Sequence, residues 1–250
     1  MDIIYGRNAV KAAIKSGRSI DKVIASKEIN DPSVREILTL AAQHHIPIVR
    51  ADKRKLDSLS LPFGYDGKPA NHQGVVAVAA AKDYASLDDI YALAEQRGEP
   101  PFIIVLDGVT DEGNLGSVIR SAEVLGAHGV ILGKRRSASL SAVAFKASSG
   151  AAEILPVVKV TNLGATIKEL KSRNIWVVGA DVDGKDVKDI DLKGAIAIVV
   201  GSEGEGLSRL VKDNCDFLAR IPMKGQTGSL NAAVAAAVIM YEKTRQDAQK

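Results

Sequence analysis

The sequence predicts an α/β protein: a mostly parallel open sheet in the C-terminal part, preceded by a small α/β sandwich. Three observations predict it. From residue 102 onward, near-continuous apolar runs alternate with segments of helical period, as in parallel strands covered on both faces. The first eighty residues alternate shorter strand and helix patterns. Between the two parts, Gly98, Pro100 and Pro101 close an acidic, weakly helical stretch, and Pro-Pro cannot continue a helix. The expected division is residues 1–81, a linker over 82–98, and a second domain over 99–250.

In the front part, "GRNAVKAAIKSG" has helical spacing and stops at Gly17, and "DKVIAS" is a short strand. "DPSVREILTLAAQHH" carries Pro32 in its first turn and apolar Val34, Ile37, Leu38 and Ala41 at spacings of three and four, a helix. "IPIVR" and "QGVVAVAAA" read as buried strands, and residues 53–72 as a loop-rich stretch with a basic start. In the second part the strand candidates are "FIIVLDGV", "HGVILG", "EILPVVKV", "IWVVGAD", "AIAIVVG" and "FLARIP". Ligands of such sheets sit beyond the C-terminal strand ends, so the loops there are where function is sought.

Composition narrows the classes. Of the 250 residues, 46% are apolar and 25% charged, ordinary for a globular protein. No apolar run approaches a membrane span, and "MDIIYGRNAVK" lacks a signal-peptide layout. One cysteine, Cys215, excludes an internal disulfide and a cysteine zinc cluster, and the four histidines lack ligand spacing. A cytoplasmic protein without a metal or membrane association is expected. Residues 1–81 hold 12 Lys/Arg against 8 Asp/Glu, so the front part carries the basic excess, compatible with an RNA phosphate backbone.

Three loops draw attention. In "TDEGNLGSVIRSAEVLG", Leu115, Val118, Ile119, Ala122 and Leu125 form an apolar helical stripe. Asn114 is placed to cap that helix, and Arg120 lies off the stripe. The pair reads either as a cap with a surface arginine or as a helix start holding an RNA phosphate. In "GSEGEGLS", Gly201, Gly204 and Gly206 permit close backbone approach, but Glu203 and Glu205 would repel a phosphate. The loop suits a cationic, phosphate-free ligand, and S-adenosylmethionine fits that description. In "GQTGSLNAAVAAAV", Ser229 and Asn231 stand at the mouth of an alanine-rich helix whose small side chains allow tight packing.

Together the stretches "DGVTDEGNLGSVIRSAE", "IVVGSEGEGLS" and "IPMKGQTGSLNAAVA" resemble, in order and spacing, the three motifs of the SpoU-type (TrmH-like) 2′-O-ribose RNA methyltransferases of the SPOUT superfamily. The front domain, with "YGRNAVKAAI" and "HQGVVA", resembles the ribosomal-protein-like substrate-binding domain of the branch acting on a guanosine of large-subunit ribosomal RNA. The resemblance implies a deep trefoil knot, a homodimer, and S-adenosylmethionine as methyl donor. It places Asn114, Arg120, Glu203, Ser229 and Asn231 at catalytic positions, and Gly201, Gly206, Ile221, Met223 and Leu230 at the donor. Arg7 and Arg120 would contact RNA. Two departures stand beside these residues: Glu112 replaces the usual proline after the first motif's aspartate, and Ala233 the serine often found two residues after Asn231.

Two rival classes are weighed: a non-catalytic RNA-binding assembly factor on the same fold, and a nucleotide enzyme on a flavodoxin-like sheet. The intact polar motif residues speak against the first, and the carboxylates of the glycine loop against the second. His72 is expected in a loop, Cys215 as a small buried or half-buried residue, and Trp176 in the core.

Overall fold

The short apolar runs of the front part pair into one sheet. The computed structural model describes all residues except 1, 29, 30, 65, 81 and 250. In chain order come β1 (Asp2–Tyr5), α1 (Arg7–Lys15), β2 (Ile20–Ser26), α2 (Pro32–Gln43), β3 (Ile48–Ala51), α3 (Lys53–Ser60) and β4 (Val75–Ala79). The sheet order is β1-β4-β2-β3, with β2 and β3 parallel and β4 antiparallel to β1 and β2. Helix α1 buries Ala9, Val10, Ala13 and Ile14, and α2 buries Val34, Ile37, Leu38 and Ala41; both join one cluster with Val23, Val75 and Ala77. The Asp31 carboxylate caps α2 by accepting from Ser33 N at 2.9 Å. Leu56 of α3 packs with Tyr5, Ile24, Val76 and Val78 in a second cluster.

Two expectations for this unit change. The run "IPIVR" is not buried: β3 is the outer strand, and Ile48 and Val49 are 39% and 42% exposed. The stretch 53–72 is not loop throughout, because Leu56 and Ser60, four apart, turn inward and give α3 a buried side. His72 lies in the loop before β4, as expected, and is buried there: its Nδ1 accepts from Gly74 N at 2.9 Å and its Nε2 meets Asp57 Oδ1 at 3.0 Å.

The chain continues with α4 (Leu87–Arg97), β5 (Phe102–Asp107), α5 (Glu112–Val124), β6 (Gly129–Gly133), α6 (Ala142–Ala147), α7 (Ala151–Ile154) and β7 (Val157–Val160). Then follow α8 (Leu163–Ser172), β8 (Trp176–Asp186), β9 (Ile196–Gly201), α9 (Arg209–Asn214), β10 (Phe217–Arg220) and α10 (Ala232–Asp247). Two compact units result. The first comprises the chain up to Asp83 and takes back Leu140–Ile154; the second comprises Tyr84–Ser139 and the chain from Leu155 onward. Within the first unit, Gly150 lies so close to α1 that a Cβ there would meet the Ala12 Cβ at 2.4 Å. Glu153, its side chain 1% exposed, is held by Arg18 at 2.6 Å and Lys82 at 3.5 Å. Burial lowers the Lys82 pKa, opposed by the adjacent Glu153. Of "EILPVVKV", Glu153 and Ile154 therefore belong to a helix and only Val157–Val160 to a strand.

The second unit is built on a six-stranded, all-parallel sheet ordered β10-β8-β9-β5-β6-β7. Strands β5, β6 and β9 are near-continuously buried, which explains their apolar runs. Where a linker is expected, α4 forms with a Ser86–Asp89 capping box, ends on left-handed Gly98, and sinks Ile90 into this unit's core. His128 is also buried here, its Nδ1 accepting from Phe102 N at 3.0 Å and its Nε2 beside Glu99 at 3.1 Å. Trp176 is not in the core: it is 56% exposed and lies tilted on Phe217 of the outer strand β10. Helix α10 presses its small residues Ala232, Ala233 and Ala236, with Ile239 and Met240, against β9 and α5.

Candidate active site

Chain order runs outward from β5 to β6 and β7 on one side, while β9 lies on the other, so the connections diverge at the β5–β9 boundary. Such a switch point opens a crevice at the C-terminal strand ends. The last register pair across it is Asp107 with Gly201. The Asp107 carboxylate accepts from Ser208 N at 2.7 Å, fixing the far end of the glycine loop. Within that loop, Ser202 and Gly206 exchange backbone hydrogen bonds of 3.1 and 3.0 Å, and Gly206 turns through φ +67°. The loop folds back onto Gly201, where a Cβ would lie 2.1 Å from the Gly206 carbonyl carbon. Gly201 is thus glycine because the loop's own backbone occupies the space, a closer constraint than the ligand approach expected from sequence.

Three side chains from three loops meet here. Asn114 Nδ2 donates to Glu203 Oε1 at 2.9 Å, and Asn231 Nδ2 donates to Asn114 Oδ1 at 3.0 Å and also to Glu203 Oε1. Asn231 is the N-cap of α10, its Oδ1 accepting from Ala233 N at 3.0 Å and Val234 N at 3.2 Å. Those two backbone donors fix which end of the amide is oxygen, so Nδ2 must face Glu203. Asn114 is not the N-cap of α5. Asp111 caps it, accepting from Asn114 N at 2.6 Å, and the Asn114 side chain in the first turn is left for Glu203.

Beside the triad lies a cavity of about 560 Å³. Gly201, Gly206, Ile221, Met223, Ser229 and Leu230 all line it, together with Glu203, Glu205 and the α10 residues Ala232, Ala235 and Ile239. Arg120 does not join them: it is exposed on α5, outside this lining, and has no hydrogen-bond or ion-pair partner among the described residues. Arg7 lies in the first unit, where it is paired with Asp31 at 3.0 Å and donates to Gln73 O at 3.2 Å. Sequence reasoning missed Asp107, Asp111 and the far wall, where Asp181 and Asp183 hold Lys212 at 2.9 and 3.3 Å. The hydrogen bond that Lys212 donates to Asp181 raises the Lys212 pKa. Asp107 ends the apolar run "FIIVLD", a detectable signal; the Asp181–Lys212 pair joins positions that no local pattern connects. Half-buried Cys215 also lies in this unit, its thiol pushed up to about 12 by burial, which disfavours the nucleophilic thiolate.

Residues 101–241 match the SpoU rRNA Methylase family, and residues 3–85 match the RNA 2′-O ribose methyltransferase substrate-binding family. The chain belongs to the SpoU rRNA methylase family. YacO of Bacillus subtilis, named as a TrmH-family tRNA/rRNA methyltransferase, is 43% identical over 98% of this chain and 95% of its own. The SpoU methyltransferase AviRb of Streptomyces viridochromogenes, crystallised with its cofactor AdoMet, superposes with a TM-score of 0.80 at 29% identity, over 99% of this chain and 91% of its own. The TrmH/SpoU tRNA-modifying enzyme of A. aeolicus gives a TM-score of 0.54 at 25% identity, over 64% of this chain and 82% of its own. This SpoU chain is an RNA methyltransferase, and its second unit is the knotted SPOUT α/β domain.

The cavity of this SpoU enzyme fits S-adenosylmethionine. Ile221, Met223, Leu230 and Leu207 give it an apolar side for a purine, while Glu203, Glu205, Asp181 and Asp183 give it carboxylates suited to a sulfonium and an ammonium. Among the described residues, no group of three or more His, Cys, Asp or Glu side chains could hold a metal, and no helix is long and apolar enough to cross a membrane.

Proposed function

We propose that this enzyme methylates the ribose 2′-hydroxyl of a guanosine in large-subunit ribosomal RNA, using S-adenosylmethionine and acting as a cytoplasmic homodimer. The observation that carries the reading is the hydrogen-bond balance of the Asn114–Glu203–Asn231 triad. Asn231 spends both N–H groups and its oxygen inside the triad and the helix cap. Among the described residues, one Asn114 N–H and the second Glu203 oxygen have no partner. One donor beside one acceptor complements a hydroxyl, which is both.

When bound, the donor supplies an electrophilic methyl group on a positively charged sulfur. The chain's residues position the attacking oxygen and ease loss of its proton. Glu203, oriented by two amides, accepts a hydrogen bond from the hydroxyl. Arg120 cannot serve as a base because guanidinium stays charged. Its role here is to hold an RNA phosphate and stabilise developing alkoxide charge. Standing outside its own protomer's cavity, it reaches a site through a second copy. A groove of about 450 Å³ supports that reading: Asn114, Ser117 and Ser121 line it with Val234, Val238 and Tyr241, and the last three are apolar and exposed. Residues 3–85, matching a substrate-binding family, supply the RNA affinity.

The test is ribose-methylation mapping in ribosomal and transfer RNA from cells with and without the protein. A single guanosine in large-subunit RNA should lose its mark. Loss in transfer RNA would correct the substrate, and methyl transfer to a base would overturn the ribose assignment. Sedimentation of Tyr241→Glu tests the dimer, which this variant should dissociate.

A further inference from the structure

We infer that Arg220 binds the carboxylate of the methyl donor and so fixes the direction in which its amino-acid arm lies. The inference rests on the donor assignment above and follows from the charges around the cavity. Among the described residues lining it, the cations are Lys212 and Arg220. Lys212 is already neutralised by Asp181 at 2.9 Å and Asp183 at 3.3 Å. Arg220, the last residue of β10, has no ion pair or side-chain hydrogen bond among the described residues. Its register partner across the sheet is Asp186, and that carboxylate is engaged by Lys188 N at 3.2 Å and Lys188 Nζ at 3.6 Å.

The donor is not uniformly cationic. Its sulfonium and ammonium suit the cavity's four carboxylates, but its own carboxylate is repelled by them and loses water on entering. A guanidinium answers that group with two parallel N–H donors. Arg220 stands beside Ile221, at the start of the segment that runs through Met223 to Ser229 along the cavity wall. The carboxylate end of the donor therefore lies at the β10 side, and the central sulfonium with its methyl group is left to the Glu203 side.

Decarboxylated S-adenosylmethionine keeps the adenosine, sulfonium and ammonium and lacks only this group. Calorimetric titration of the full-length protein with both compounds separates the possibilities. Wild type should bind S-adenosylmethionine about ten- to a hundredfold more tightly than the decarboxylated form, the range for one charge-assisted pair. Arg220→Ala should bring the ratio near one by weakening only the carboxylate-bearing ligand, and Arg220→Lys should restore part of it. Circular dichroism and thermal melting confirm that each variant folds. If Arg220→Ala weakens both ligands alike, or neither, the inference is wrong while the donor assignment stands. If wild type binds neither compound, the donor assignment falls and takes this inference with it.

Discussion

Adding one methyl group at Gly201 asks whether the donor cavity depends on the shape of the glycine loop or only on its flexibility. A Cβ there would sit 2.1 Å from the Gly206 carbonyl carbon, 2.2 Å from its oxygen and 2.4 Å from Leu207 N. All three are backbone atoms, so no side chain can rotate aside and the loop itself must lift. Overpacking of this kind costs about 1–3 kcal/mol. Lifting also breaks the two Ser202–Gly206 hydrogen bonds, worth about 1 kcal/mol each. Gly201→Ala should therefore destabilise the enzyme by about 3 kcal/mol or more, and weaken the donor by about tenfold or more, since the displaced loop is a wall of the cavity. Gly204 in the same loop is the control: a Cβ there meets nothing within 4 Å, so Gly204→Ala should stay within about 0.5 kcal/mol of wild type. Urea unfolding with an unchanged m-value measures the first quantity, and calorimetric titration the second. If Gly201→Ala matches Gly204→Ala in both, the close packing described at Gly201 does not shape the site.

Three further outcomes are expected. Arg120→Ala should nearly abolish methyl transfer in single-turnover assays, with donor affinity kept within a few-fold and stability within about 0.5 kcal/mol, because the side chain is exposed and unpaired among the described residues. Arg120→Lys should rescue only part. Asn231→Ala should lose transfer and about 1 kcal/mol of stability, whereas Asn231→Ser, which can still cap α10, should recover the stability in thermal melts without the activity. Burial, the largest influence, holds the His128 pKa below its ordinary value despite the hydrogen bond to Glu99. The unfolded chain then takes up a proton that the folded one excludes, so His128 contributes stability that is full above about pH 6.5 and is lost as pH falls through the lower folded value. Urea midpoints should decline from pH 7 to 5 and decline less in His128→Gln; equal slopes would exclude His128 as the cause.

The parallel sheet was legible because its buried strands are unbroken apolar runs, and the site loops because they interrupt those runs with glycine, amide and carboxylate. What stayed hidden depended on long-range pairing. "TDEGN" offers several capping residues, and only the three-dimensional start of α5 selects Asp111, releasing Asn114 for Glu203. That bond spans 89 residues and the one from Asn231 to Asn114 spans 117, distances at which spacing carries no signal. Trp176 reads as core from its neighbours in "NIWVVG", but β8 pairs with the outer strand β10, and sheet order is not written locally. The stretch that reads as a linker has a weak apolar pattern, yet Ile90, Leu87 and Tyr91 pack it into the second unit's core, and Ile90 reaches the glycine surface of Gly129.

The return of Leu140–Ile154 to the first unit has a consequence for how the protein is made. Synthesis runs from the N-terminus, and domains generally fold as they emerge. Here the first unit still lacks α6, α7 and the buried Glu153 partner of Arg18 when residue 83 leaves the ribosome. Before those pieces arrive, α4, β5, α5 and β6 of the second unit are already outside. The two units therefore cannot mature one after the other, and a nascent chain halted between residues 83 and 140 leaves Arg18 with Asp2 and Ala80 O but without Glu153, while its neighbour has only part of a sheet.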